Sequence, residues 1–150
     1  MITIQLNTHI QRPIRDVFDY IVAPENNSRW QYGSMETLQI TEGSVEVGTI
    51  FSSIGHFMGR RIQTVLEVTE FEPNLQYGFI TLAGPVQLQS SYRFETVNHG
   101  TKVAVLARIK PDGFFNPVDS IVARVALKQF KENLSRLKKL LESRETNLKR

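Results

Sequence analysis

His56, in the segment Gly55-His56-Phe57-Met58, is the residue of this chain best suited to moving a proton near neutral pH. Tyr77 and Tyr92, on two other alternating segments, are the remaining candidates for acid–base chemistry. Whether His56 can meet them depends on the turn at Met58-Gly59. A two-residue loop pairs Gly55 with Ile62, turns Phe51, Ser53 and Phe57 inward and leaves His56 outside. A three-residue loop reverses every side chain, because strand faces alternate with a period of two. His99 lies in Asn98-His99-Gly100, a hairpin-turn signature rather than a site. His9 ends the first alternating segment and reads as a surface residue. The three histidines fall on separate segments, with no His-x-His or His-Glu-x-x-His spacing, and the chain has no cysteine. No metal site and no cofactor are therefore expected. Gly-x-Ser-x-Gly and Gly-x-x-x-x-Gly-Lys are absent, which removes the hydrolase elbow and the phosphate loop.

The elements that must position these groups are legible from periodicity. Residues 2–10 alternate, with Ile2, Ile4, Leu6 and Ile10 on one face. Pro13 opens a short helix whose apolar face is Ile14, Val17, Phe18 and Ile21, and Pro24 restarts the chain into a helical turn ending near Trp30. Between residues 35 and 110 the period is mostly two. Strands are expected near 35–42, 48–57, 60–72, 75–82, 86–96 and 101–110, separated by Gly, Pro or Asn turns too short for anything but antiparallel neighbours. Asn116 and Pro117 then suit the cap and first turn of a long helix. Its stripe of Val118, Ile121, Val122, Val125, Ala126, Phe130, Leu134, Leu137 and Leu141 runs towards Ser143. The reading is one domain over 1–143, with 144–150 as a frayed tail.

This order describes an α+β, helix-grip arrangement: about seven antiparallel strands curved round one long C-terminal helix, with two short helices after the first strand. One helix covers only part of so large a sheet, and the curled remainder encloses an apolar hollow. Strand parity turns Thr64, Leu66, Tyr77, Phe79, Ser90, Tyr92 and Val105 inward, and the helix contributes Val122 and Phe130. Trp30 and Phe114 stand where the short helices and the last loop could frame an entrance, and Trp30 reads first as a packing anchor. Phe114 and Phe115 either gate the pocket, pin the start of the long helix, or form a homodimer contact. The inward hydroxyls orient a ligand's polar atoms or satisfy one another and ordered water, since an unpaired buried hydroxyl costs about 1–3 kcal/mol.

Pro13 is followed by Val17-Phe18-Asp19-Tyr20-Ile21, Pro24-Glu25-Asn26 leads to Trp30, and Val47-Gly48-Thr49 and Val68-Thr69-Glu70-Phe71-Glu72-Pro73 follow in turn. In this order and spacing the chain resembles the START/Bet v 1-like superfamily, in its bacterial polyketide cyclase/dehydrase and lipid transport branch. The resemblance covers nearly the whole chain. It implies a pocket for lipids, sterols, polyketides or other hydrophobic ligands, and it carries no catalytic residue over.

Composition narrows the partners. The chain has 150 residues, 41% hydrophobic and 22% charged, with net charge +3. Residues 119–150 hold nine Lys/Arg against four Asp/Glu, so the positive charge sits on the C-terminal helix. That pattern reads first as a solvated helix face; recognition of nucleic acid or anionic membrane, which salt would weaken steeply, ranks last. No apolar run approaches the roughly 18 residues of a membrane span, and the N-terminus alternates like a strand rather than a signal peptide. A cytoplasmic protein without stable membrane insertion is expected. The leading functional reading is a binder of a hydrophobic or amphipathic small molecule, and the alternative is a cyclase or dehydratase acting by proton transfer in the same cavity.

Overall fold

The computed structural model describes the backbone of residues 1–110 and 119–148, and the side chains of 1–110 and 121–143. Strand β1 (Ile2–Ile10) leads into helix α1 (Ile14–Val22), a single 3-10 turn (Pro24–Asn26) and helix α2 (Asn27–Trp30). Six strands follow: β2 (Ser34–Gln39), β3 (Ile50–Phe57), β4 (Arg60–Glu72), β5 (Gln76–Ala83), β6 (Gln87–Val97) and β7 (Gly100–Lys110). Helix α3 (Asp119–Leu148) closes the order and continues past the end expected at about Ser143. Phe114, Phe115, Asn116 and Pro117 lie outside the described residues.

All seven strands form one antiparallel sheet in the order β1-β7-β6-β5-β4-β3-β2, which is the expected helix-grip arrangement. The strands from β2 to β7 are a meander, and β1 returns to pair with β7 from Ile2↔Ile109 to Ile10↔Thr101. Observed strand limits fall within two residues of expectation, except around residues 40–49. There the chain leaves the ladder after Gln39 and resumes it at Ile50, through a loop whose Gly43 and Gly48 both take positive φ. Two tight hairpins have both central residues at positive φ, Met58-Gly59 and Asn98-His99. That twist matches the right-handed twist of the strands they join.

Curvature has a local cause. The β4–β5 register shifts twice, between Val65 and Leu66 and again between Val68 and Glu70. Each extra residue bends the bulged strand and increases its twist. On the outer face, the carboxylate of Glu70 accepts a hydrogen bond from Ser91 Oγ at 2.7 Å and lies over Gly78. A Cβ on Gly78 would stand 2.4 Å from Glu70 Oε1, so a side chain there would push the carboxylate away from Ser91.

The apolar core divides into two clusters. The larger one joins α1, through Val17, Phe18, Tyr20 and Ile21, to the centre of the sheet and to Leu134, Leu137 and Leu141 of α3. A smaller one joins Val122 and Ala126 of α3 to Ile2, Ile4, Ala107 and Ile109. The two seats hold α3 along the β1–β7 side of the sheet.

The second half of α3 is also tied down by polar groups. Arg12, buried at 3% exposure, donates from Nη1 to Leu141 O at 2.7 Å and from Nη2 to Asp16 Oδ2 at 2.7 Å. Thr101 Oγ1 donates to Arg12 O at 2.8 Å. At the next residue of α3, Glu142 accepts from Gln11 N and from Lys138 Nζ, both at 2.9 Å, and Lys138 also donates to His9 O. His9 itself is half-buried rather than on the surface, with Nε2 2.7 Å from Val97 O. Gly100 makes room for it, since a Cβ there would meet His9 Cε1 at 2.6 Å.

Candidate ligand cavity

Between the two seats, α3 stands off the curled half of the sheet and leaves a hollow of about 240 Å³. Strands β3 to β6 supply its wall, α2 and the loop after it close one end, and α3 covers it with Gln129, Phe130 and Asn133. A second chamber of about 180 Å³ adjoins it towards the N-terminal half of α3. Val86, Leu88, Gln129 and Phe130 line both. Each chamber falls below the ~300–1,000 Å³ common for small-molecule pockets, and together they reach that range.

The chambers differ in chemistry. The smaller is walled by Phe57, Ile62, Ile109, Val122 and Ala126 in addition to the shared residues, so Gln129 is the one polar side chain lining it among the described residues. The larger combines Phe51, Leu66 and Phe79 with the hydroxyls of Ser53, Thr64, Tyr77, Thr81, Ser90 and Tyr92. Thr81 Oγ1 is already occupied, accepting from Leu88 N at 3.0 Å. Ser90 Oγ and Trp30 Nε1 are buried with no hydrogen-bond partner among the described residues.

The aromatic wall is braced from behind. Ring contacts run from Phe94 through Phe18 (5.1 Å between centroids) and Phe71 (5.5 Å) to Tyr77 (6.3 Å), and from Tyr77 to Phe79 (5.7 Å) and Tyr92 (6.3 Å). Trp30 packs edge-on against Tyr92 at 6.4 Å. A wall continuous with the core is pre-organised, because close-packed rings have few alternative positions. Burial pushes both phenols well above the usual tyrosine range. Tyr92 adds a repulsive contribution at Tyr77, while the Ser90 hydroxyl partly opposes the rise at Tyr92. Both side chains are therefore neutral near pH 7.

Of the residues expected to line a pocket, Trp30, Thr64, Leu66, Tyr77, Phe79, Ser90, Tyr92 and Phe130 surround the larger hollow. Val122 belongs to the smaller chamber instead. Val105 lines neither. It is buried in the large cluster with Leu134, Leu137 and Leu141, where the helix sits directly on the sheet and leaves no space. Phe114 lies outside the described residues. His56 is exposed: the turn has two residues, Gly55 pairs with Ile62, and Phe51 and Ser53 take the inward face. Its backbone N–H donates to Gly33 O at 2.8 Å, and it borders only a shallow open depression outside the mouth. The three acid–base candidates thus do not converge.

Two positions lining the hollow escaped sequence reading. Gln129 and Asn133 sit one turn apart on α3 and hold both backbone groups of Tyr32, through Gln129 Nε2 to Tyr32 O at 2.7 Å and Tyr32 N to Asn133 Oδ1 at 2.5 Å. Their pairing latches the Gln31–Gly33 loop over the hollow. The i, i+4 spacing of two amides inside an otherwise apolar stripe was the available signal. Among the described residues no cluster of three or more His, Asp or Glu side chains could hold a metal ion, and no helix is long and apolar enough to cross a membrane.

The family model described as polyketide cyclase/dehydrase and lipid transport matches residues 1–142. The chain belongs to that family. No curated protein matches it by sequence. A START superfamily protein from Mycobacterium smegmatis superposes with a TM-score of 0.78 at 8% identity, over 94% of this chain and 97% of that one. Ara h 8.0201 gives 0.72 at 12% identity, over 94% and 97%. The di-domain ARO/CYC protein BexL, from the BE-7585A biosynthetic pathway, gives 0.72 at 15% identity, over 92% of this chain and 45% of its own. At such identities these relatives share the fold with this family member, and the site must be argued from its own residues.

Proposed function

We propose that the protein binds a hydrophobic or amphipathic small molecule in the hollow between α3 and the curled sheet. The observation that carries this reading is the pair of adjoining chambers, one apolar and one ringed with hydroxyls, under a helix seated firmly at both ends. A packed interior would leave no such space, since native cores hold few voids larger than a water molecule. Membership of a family that includes lipid transport in its description is consistent with it.

The proton-transfer alternative has less support. Its best base, His56, faces away, and Tyr77 and Tyr92 hold their protons too tightly to exchange them readily near neutral pH. The test is native mass spectrometry of gently purified protein against the same sample denatured, with Nile red titration as a second readout. A releasable small-molecule mass, or saturable one-to-one dye binding that Leu88→Trp abolishes, supports the reading. Absence of both the mass and the dye complex refutes it.

A further inference from the structure

The two chambers are lined entirely by uncharged groups: among the described residues no Asp, Glu, Lys, Arg or His side chain reaches either one. The charged groups nearest to being buried are engaged elsewhere. Glu70 is bound to Ser91 on the outer face of the sheet, Arg12 to Leu141 O and Asp16, and Lys138 to Glu142. What the larger chamber offers instead is a set of neutral hydroxyls, Tyr77, Tyr92, Thr64 and Ser90, set among aromatic rings. Such groups pair well with a hydroxyl, carbonyl or ether oxygen. An ionised headgroup placed there would lose its hydration without gaining a counter-charge, and would sooner take up or release a proton than stay charged.

Resting on the cavity reading above, we propose that the ligand class is an uncharged amphiphile. Its apolar body lies between Phe57, Ile62 and Val122, its neutral oxygen function lies among Tyr77, Tyr92 and Ser90, and ionised amphiphiles of the same shape are rejected. The aromatic wall makes this a sharp claim, because the faces of Trp30, Tyr77 and Tyr92 would favour an ammonium group if cation–π attraction outweighed desolvation.

The experiment is a head-group series on one tail, displacing Nile red from the full chain: dodecanol, dodecanoate and dodecylamine. Dodecanol is expected to bind most tightly. Dodecanoate at pH 7 is expected to be weaker by on the order of a hundredfold, the scarcity of its protonated form when a carboxyl titrates at about 4–5. Its affinity should then rise about tenfold for each pH unit lowered from 7 towards 5, while that of dodecanol stays level. Equal affinities for dodecanol and dodecanoate at pH 7, or preference for dodecylamine, would overturn the neutral-ligand proposal and leave the cavity reading standing. Failure of all three, with no Nile red complex to displace, would overturn both.

Discussion

Replacing Arg12 by alanine tests how the helix is held over the cavity. The guanidinium is 3% exposed and makes two charge-assisted hydrogen bonds of 2.7 Å, one to a backbone carbonyl of α3 and one to Asp16. Hydrogen bonds to charged groups are worth about 1.5–3 kcal/mol each. Asp16 is partly exposed, with 41% of its side chain accessible, so its share is reduced by solvent. The Leu141 contact and the lost packing of the buried stem carry the rest, and the expected loss is about 3 kcal/mol. For a domain of this size that corresponds to a fall in Tm of roughly 6–12 °C. Urea unfolding followed by circular dichroism measures it directly, and Arg12→Met, which restores apolar volume without the charge, should recover about half of the loss. A cost below about 1 kcal/mol for Arg12→Ala would refute the assignment of this residue as a main tie between the turn after β1 and α3.

Four further outcomes follow from the same geometry. Gln129→Ala combined with Asn133→Ala removes two exposed hydrogen bonds worth at most about 1 kcal/mol each, so Nile red should enter and leave up to about 30-fold faster with little change in Kd; unchanged stopped-flow rates would count against the Tyr32 latch. Glu142 would be pushed up by burial alone, but the Gln11 N–H, the Lys138 ammonium and His9 together hold it below the usual carboxylate range. Because its folded pKa is depressed, its stabilising contribution is complete above the unfolded value of about 4.3 and is lost as pH falls through the folded one; Glu142→Gln should flatten that part of the acid-unfolding curve. Gly78→Ala forces a Cβ against Glu70 Oε1 and should destabilise by about 1–3 kcal/mol in urea, with Glu70→Ala relieving part of the cost. Leu88→Trp fills space shared by both chambers, so it should abolish dye binding while its circular dichroism spectrum is retained.

How much of this was readable in advance depends on the range of the interaction involved. Alternation in Ile2, Ile4, Leu6 and in Tyr77, Phe79, Thr81 is local, so it assigned strands and most inward faces, and eight of the expected lining residues do surround the hollow. Short Gly, Pro and Asn turns forced antiparallel neighbours, and the meander with them. The resemblance carried by Pro13, Trp30 and the Val68–Pro73 segment named the family. The face of His56 was undecided because it hinged on one residue of loop length, which the positive φ of both Met58 and Gly59 resolved.

Where α3 touches the sheet and where it stands away is a different kind of fact. Val105 and Ser90 both point inward, yet the helix covers the first and leaves the second facing space, since that outcome depends on the bulges between β4 and β5 and on the two seats of α3. Nothing near Arg12 in the sequence foretells its partner at Leu141. Gln129 and Asn133 acquire a role only because the fold brings Tyr32 against them. Periodicity along the chain records which way each side chain points; what it meets is set by curvature and by contacts between residues about a hundred positions apart, which no local pattern encodes.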